Sequence, residues 1–206
     1  MEAILEMDGQ ILMWIQENLR NDILTPVMQA VTKLGDYGGL FWILIALTLL
    51  IISRTRRVGL NSALALASMG IINNLGIKLL VNRTRPYEIL QELEVITSKP
   101  HDSSFPSGHT AVAFAMSTVF LLTLPKIMEK KVAVRISIGF YILSALLAFS
   151  RLYLGVHFPT DVLAGILLGI GGGILGSFVG NKIWEHFQRK NETVNKKENE
   201  TDVDDK

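Results

Sequence analysis

A histidine followed four residues later by an aspartate, His157 and Asp161, with a second histidine at position 109, forms a set suited to nucleophilic phosphoryl chemistry. A carboxylate one helical turn away can hold one imidazole nitrogen and fix the tautomer, which leaves the other nitrogen free to attack phosphorus. Pro159, between the two, suits the first turn of a helix and supports that spacing. His109 closes the segment Pro106-Ser107-Gly108-His109 and can protonate a leaving oxygen, then activate water. The segment opens a helix, where free backbone N–H groups favour an anion, Ser107 can donate its hydroxyl, and Gly108 permits close approach. Taken alone, that tetrapeptide is equally an ordinary Ser-capped helix start, and His157 with Asp161 could equally be two metal ligands.

The elements that must position these residues are helices in a membrane. The 206-residue chain is 49% hydrophobic, and its mean hydropathy is +0.35. Five stretches, 37–53, 59–81, 107–124, 132–150 and 159–181, approach the roughly 20 residues needed to cross a hydrocarbon core. Their continuous rather than alternating apolarity selects helices. The expected fold class is all-α, a polytopic helix bundle over residues 37–184. Residues 1–36 are expected to form amphipathic interfacial helices, or a broken helix that supplies half a span over 23–35, with Trp14 as an interfacial anchor. Early acidic residues argue against a cleaved signal peptide. Residues 190–206, rich in charge and poor in large apolar groups, are expected to be a disordered tail.

Lys and Arg near the span ends set the orientation. Arg54, Arg56 and Arg57, then Lys126, Lys130, Lys131 and Arg135, then Lys182, Arg189 and Lys190 fall on one side, which the positive-inside rule makes cytoplasmic. The 82–106 and 151–158 loops then lie outside the cell membrane, and the tail inside. Three polar clusters meet at that outer surface: Lys78 with Arg85, the segment ending in His109, and Arg151 with His157 and Asp161. Lys78 alone could snorkel, and Arg83, Arg85 and Arg151 alone could be interfacial anchors. Convergence of Lys78, Arg85 and Arg151 on the side poor in cations instead describes a phosphate site. Such a site repels a divalent cation and supplies the charge a metal would give, so neither metal nor cofactor is expected. His101 and Asp102 read as solvated loop residues or contacts on the substrate's way in, and His186 lies on the opposite face.

Balanced charge, 20 basic against 19 acidic residues, gives no reason to expect nucleic acid as a partner. No cysteine is present for thiol chemistry or disulfides. Two glycine stripes in the last span, Gly165/Gly169/Gly173 and Gly172/Gly176/Gly180, are expected to pack within one chain rather than between copies, so a monomer is favoured.

The chain resembles the type 2 phosphatidic acid phosphatases, the lipid phosphate phosphatase and vanadium haloperoxidase superfamily. Its three signatures read here KLLVNRTRP from Lys78, PSGH from Pro106 and SRLYLGVHFPTD from Ser150, spanning residues 78–161. The resemblance implies a six-helix core, a phosphohistidine at His157, acid and base work by His109, and orientation by Asp161. It further implies phosphate binding by Lys78, Arg85, Ser107, Gly108 and Arg151, without Mg²⁺. Short loops and apolar spans fit the bacterial membrane branch, whose members act on undecaprenyl diphosphate, phosphatidylglycerophosphate or phosphatidate. A phosphotransferase using the same phosphohistidine and a non-catalytic lipid-phosphate binding or transport protein are the competing readings.

Overall fold

The structure is a computed structural model that describes residues 2–204, with side chains over 3–37 and 39–193. Its helices run α1 (Glu2–Leu19), α2 (Leu24–Thr32), α3 (Asp36–Ile51), α4 (Arg56–Met69), α5 (Lys78–Val81), α6 (Pro86–Ile89), α7 (Gly108–Thr123), α8 (Lys130–Tyr153) and α9 (Pro159–Asp204). A π-helical stretch, Gly70–Ile77, joins α4 to α5. Four continuous helical runs among the described residues are long and apolar enough to cross a bilayer, namely Ser53–Ile89, Gly108–Lys126, Lys130–Tyr153 and Pro159–Thr193.

The first expected span differs from its sequence reading. α3 has 16 residues, about 24 Å at 1.5 Å per residue, too short for a hydrocarbon core of about 30 Å. It makes a span only together with α2, across a bend of 53°. Residues 23–35 thus form one arm of a bent helix pair that is long and apolar enough to cross or re-enter the bilayer. The break lies at Gly35-Asp36-Tyr37-Gly38-Gly39, where Tyr37 (φ 52°) and Gly39 (φ 82°) are left-handed. α1 remains amphipathic, with Leu12 and Ile15 buried and Trp14 exposed. Of the expected disordered tail over 190–206, residues 205–206 lie outside the described residues. No Pro or Gly interrupts the sequence from residue 190, and the α9 backbone continues to Asp204.

α7 is the central helix, and α4, α8 and α9 pack around it. Large apolar side chains lie both inside and outside the bundle, with Trp42, Met69, Met116, Phe120 and Leu147 in its buried core. Outward-facing positions carry large apolar groups, including Leu47, Ile71, Leu75, Ile142, Leu167 and Phe178. The interior pairs hydroxyls and amides, Ser117 with Ser144 (2.9 Å), Thr118 with Tyr141 (2.8 Å) and Asn61 with Thr123 (3.0 Å). That arrangement suits lipid, where apolar burial does not drive helices together and close packing with interhelical hydrogen bonds must.

The two glycine stripes of α9 supply the close packing. Gly165, Gly169 and Gly173 lie against α7 at Ser107, Ala111 and Ala115, while Gly176 and Gly180 lie against α4 at Ala65 and Asn61. A Cβ on Gly176 would come 2.6 Å from the Ala65 nitrogen, so that interface can only open to accept one. Gly171, on the same helix, has nothing within 4 Å. Gly176→Ala should therefore cost about 1–3 kcal/mol, read as a lower unfolding midpoint in detergent, with Gly171→Ala unchanged. Equal effects of the two would mean that the stripe does not set helix spacing.

Candidate active site

α5, α7, α8 and α9 end at the same surface, and the loops between them carry the chemistry. His157 lies in the short link between α8 and α9 and is only 2% exposed. Its Nδ1 is 2.8 Å from the Ser104 carbonyl oxygen. A carbonyl only accepts, so Nδ1 carries the proton and Nε2 keeps its lone pair. Nε2 lies 3.5 Å from Nη1 of Arg85. Burial, and then the charges of Arg151, Arg85 and Lys78, push the imidazole well below its ordinary pKa. His157 is accordingly neutral and nucleophilic.

Asp161 does not orient the imidazole directly, as the sequence reading had it. Its Oδ2 is 3.6 Å from Nδ1, beyond a hydrogen bond. It instead accepts from the Ser104 hydroxyl, from the Phe158 N–H (2.8 Å) and from Nη1 of Arg83 (2.6 Å). Asp161 thus holds the residue whose carbonyl holds His157. Arg83, read earlier as an interfacial anchor, is the other half of this clamp. It reaches Thr160 Oγ1 (2.7 Å) and Asp8 (2.8 Å), and stacks 4.2 Å from the centre of the Phe158 ring. Asp8 on α1 is fully buried and also accepts from the Thr160 N–H (3.1 Å).

His109, in the first turn of α7, has its Nε2 3.0 Å from Asp36 Oδ1. The broken span is what brings Asp36 there. Gly35 lies so close to the His109 ring that any Cβ on it would collide with the imidazole. Gly108 lines the same cavity. The Ser107 hydroxyl makes no capping bond to the helix and pairs instead with Thr110 Oγ1 (2.9 Å).

Of the three cations, Arg85 is the most firmly held, donating Nε to the Asp102 carbonyl (2.9 Å) and Nη1 to the Val156 carbonyl (2.7 Å). Arg151 is 3% exposed, donates Nη1 to Thr32 Oγ1, and has no partner for Nε among the described residues. A buried guanidinium with an unmet donor is chemically suited to an anion. Lys78 pairs with Asp102, and so does Arg85 through Nη2 (2.6 Å). Burial opposes ionisation of Asp102, but the two cations outweigh it and hold its pKa at about 2. Asp102 is therefore an ionised member of the site rather than the bystander its loop position suggested, whereas His101 is exposed.

A cavity of about 200 Å³ is lined by Lys78, Asp102, Gly108 and His109, with Asn73 and Asn74 of the π-helical stretch on its wall. Through Asn74 and Val112 it adjoins an apolar cavity of about 340 Å³ between α3 and α4, lined by Ile43, Leu47, Ala63 and Leu66. A larger cavity of about 520 Å³, beside α1 and bordered by Arg83, contains neither histidine.

Asp8, Asp36 and Ser104 are absent from the site expected on sequence, and Arg83 stood there only as a possible interfacial anchor. Asp8 had a signal, because Leu5, Asp8, Leu12 and Ile15 recur at helical spacing and put a carboxylate in the apolar stripe of α1. Asp36 and Ser104 carried none, since their partners lie far along the chain.

The profile of the PAP2 superfamily matches residues 58–184. An undecaprenyl-diphosphatase of Sulfolobus acidocaldarius is 34% identical over 137 residues, 66% of this chain and 62% of that protein, so the chain spans less than two thirds of that relative's length. Phosphatidylglycerophosphatase B of Bacillus subtilis is 31% identical over 74% of this chain and 73% of its own. In structure, the chain superposes on the crystal structure of a transmembrane PAP2 type phosphatidylglycerolphosphate phosphatase from Bacillus subtilis with a TM-score of 0.75, at 28% identity, covering 89% of each chain.

If Asp161 is a clamp, Asp161→Asn should destabilise the fold by about 1–3 kcal/mol, the usual effect of leaving a buried donor unmet, because Oδ2 accepts from both Ser104 and Phe158 while Arg83 keeps its pair with Asp8. The unfolding midpoint in detergent measures it. An unchanged midpoint with lost turnover would return Asp161 to a role on His157 alone.

Proposed function

Because the chain belongs to the PAP2 superfamily, we propose that it is a metal-independent membrane hydrolase of lipid phosphates or lipid diphosphates, acting through a phosphohistidine. The observation that carries this reading is the buried neutral His157, whose Nδ1–H is committed to the Ser104 carbonyl while its Nε2 faces Arg85. A binding protein needs the cations but has no use for an oriented nucleophile.

In the first step the Nε2 lone pair forms a bond to phosphorus as the bond to the leaving oxygen breaks, and protonated His109 gives that oxygen its proton. The phosphoryl oxygens are held by Arg85, Arg151, Lys78 and backbone N–H groups at Gly108. Because Nδ1 keeps its proton, the phosphorylated ring is cationic and a good leaving group. In the second step His109 takes a proton from water, the hydroxide oxygen attacks phosphorus, and the P–N bond breaks to restore the lone pair. Asp36 holds His109 in place through both exchanges. Ser107 contributes its position at the head of α7 more than its hydroxyl, which Thr110 occupies. Charge stabilisation by three cations leaves nothing for a metal to supply, and the Asp161 oxygens that could ligate one already accept from Arg83, Ser104 and Phe158.

A lipid substrate is supported by the apolar cavity between α3 and α4 that adjoins the one lined by Lys78 and His109. Undecaprenyl diphosphate and phosphatidylglycerophosphate are the leading candidates, by likeness to relatives so named, with phosphatidate as a third. The active site lies on the extracytoplasmic face and the C-terminal tail in the cytoplasm, on the distribution of Lys and Arg.

Phosphate release by the detergent-purified chain from these three lipids and a soluble ester, with EDTA present, tests the reading. Release from at least one lipid is expected, abolished in His157→Ala, which should remain folded. Full activity in that variant would remove the nucleophile, and loss in EDTA restored by a divalent ion would restore a metal. In cells, an impermeant thiol reagent should reach a cysteine introduced at Ser98 and miss one at Glu192, and the native chain has no cysteine to interfere. The opposite labelling would invert the topology.

A further inference from the structure

Asp102 stands where the substrate's phosphate would have to bind. Its Oδ1 accepts from Arg85 Nη2 (2.6 Å) and its Oδ2 from Lys78 Nζ. Two of the three cations assigned to phosphate are thereby engaged by a carboxylate, whose paired oxygens meet a guanidinium and an ammonium much as a phosphate does. The other acidic residues around the site are differently held. Asp8 and Asp161 are fully buried, each fixed by several donors, and Asp36 serves His109. The Asp102 side chain is 55% exposed and sits on the loop before α7, so it can turn to water without leaving a buried charge. Arg85 meanwhile keeps its position, because its bonds to the Asp102 and Val156 carbonyls do not involve the carboxylate.

We propose that Asp102 is a specificity-setting residue, an internal anion that competes with the substrate's phosphate for Lys78 and Arg85 and returns to help expel the product phosphate. The inference rests on the phosphate reading of the site. Arg151, with its unpartnered Nε, takes the incoming anion without exchange, whereas Lys78 and Arg85 must release Asp102 first. Ground-state affinity for phosphate is trimmed in this way. Uniformly tight binding of substrate and product would slow turnover rather than raise it.

The test uses the full chain in detergent with orthovanadate and inorganic phosphate as probes, each read by inhibition constant and by ligand-induced shift of the unfolding midpoint. In Asp102→Asn both ions should bind about tenfold more tightly or better, as expected when a competing unit charge is removed. KM should fall with them, and kcat should fall as product release slows. Asp102→Glu, which keeps the carboxylate, should return all of these toward wild type. A merely structural residue would weaken anion binding when changed, so unchanged or weaker binding in Asp102→Asn overturns the proposal. The midpoint shift reads this even in a variant without turnover. If neither ion inhibits or stabilises the wild type, the phosphate reading itself falls, a result distinct from the failure of Asp102 alone.

Discussion

Several cations held around one neutral imidazole at the rim of a hydrocarbon layer are the constraint on which the rest of this structure depends. Burial and the charges of Arg151, Arg85 and Lys78 hold the His157 pKa low, but like charges in a poorly solvated space repel one another and oppose folding. The structure answers with carboxylates placed so that they neutralise without quenching the nucleophile. Asp161 and Asp8 are spent on Arg83, which lies behind the site, and Asp102 on the two cations at its mouth. Arg151 keeps an unmet donor. Charge is therefore cancelled on both flanks and left uncancelled at the centre, where a phosphate would meet it.

Holding loop residues to hydrogen-bond tolerance requires rigid helices beneath them. Rigidity here comes from close glycine contacts together with a buried apolar core that includes Trp42, Met69, Met116, Phe120 and Leu147. α9 lies against both α7 and α4 along its two stripes, and the three helices deliver Asp161, His109 and, through the π-helical stretch, Lys78 to one end. α1 closes the arrangement, since Asp8 reaches Arg83 and Thr160 across the top of α9.

How much of this was legible in the sequence depends on the range of the interaction. The spans, the stripes and the three polar clusters are local patterns, and the structure places Lys78, Arg85, Gly108, His109, Arg151, His157 and Asp161 at one end of the bundle. The i to i+4 spacing of His157 and Asp161 was legible too, but the role drawn from it was too direct. The chain folds Ser104 between them, and a loop carbonyl more than fifty residues upstream takes the imidazole proton. Asp102 looked like a solvated loop residue because its partners, Lys78 and Arg85, lie 24 and 17 residues upstream. The half-span over residues 23–35 stood only as an alternative to interfacial helices for a related reason: Gly35 to Gly39 lowers local hydropathy, so apolarity alone divides the bent pair into a helix and a separate amphipathic segment.

The two irregular stretches of backbone have a common cause. Non-helical or underwound backbone at membrane depth is tolerated only where it borders a cavity or is covered by protein, because lipid cannot satisfy the groups it frees. The break at Gly35–Gly39 and the π-helical Gly70–Ile77 face each other across the cavity that holds Lys78 and His109. Each distortion performs a task that a regular helix could not. The break swings Asp36 onto His109 and removes the Cβ that would displace the ring, and the π turn brings Asn73 and Asn74 to the cavity wall just ahead of Lys78. Straightening either helix would fill the cavity or withdraw a polar group from it. The irregularity and the site are thus one feature of the fold, and the left-handed Tyr37 is the local strain that accompanies it.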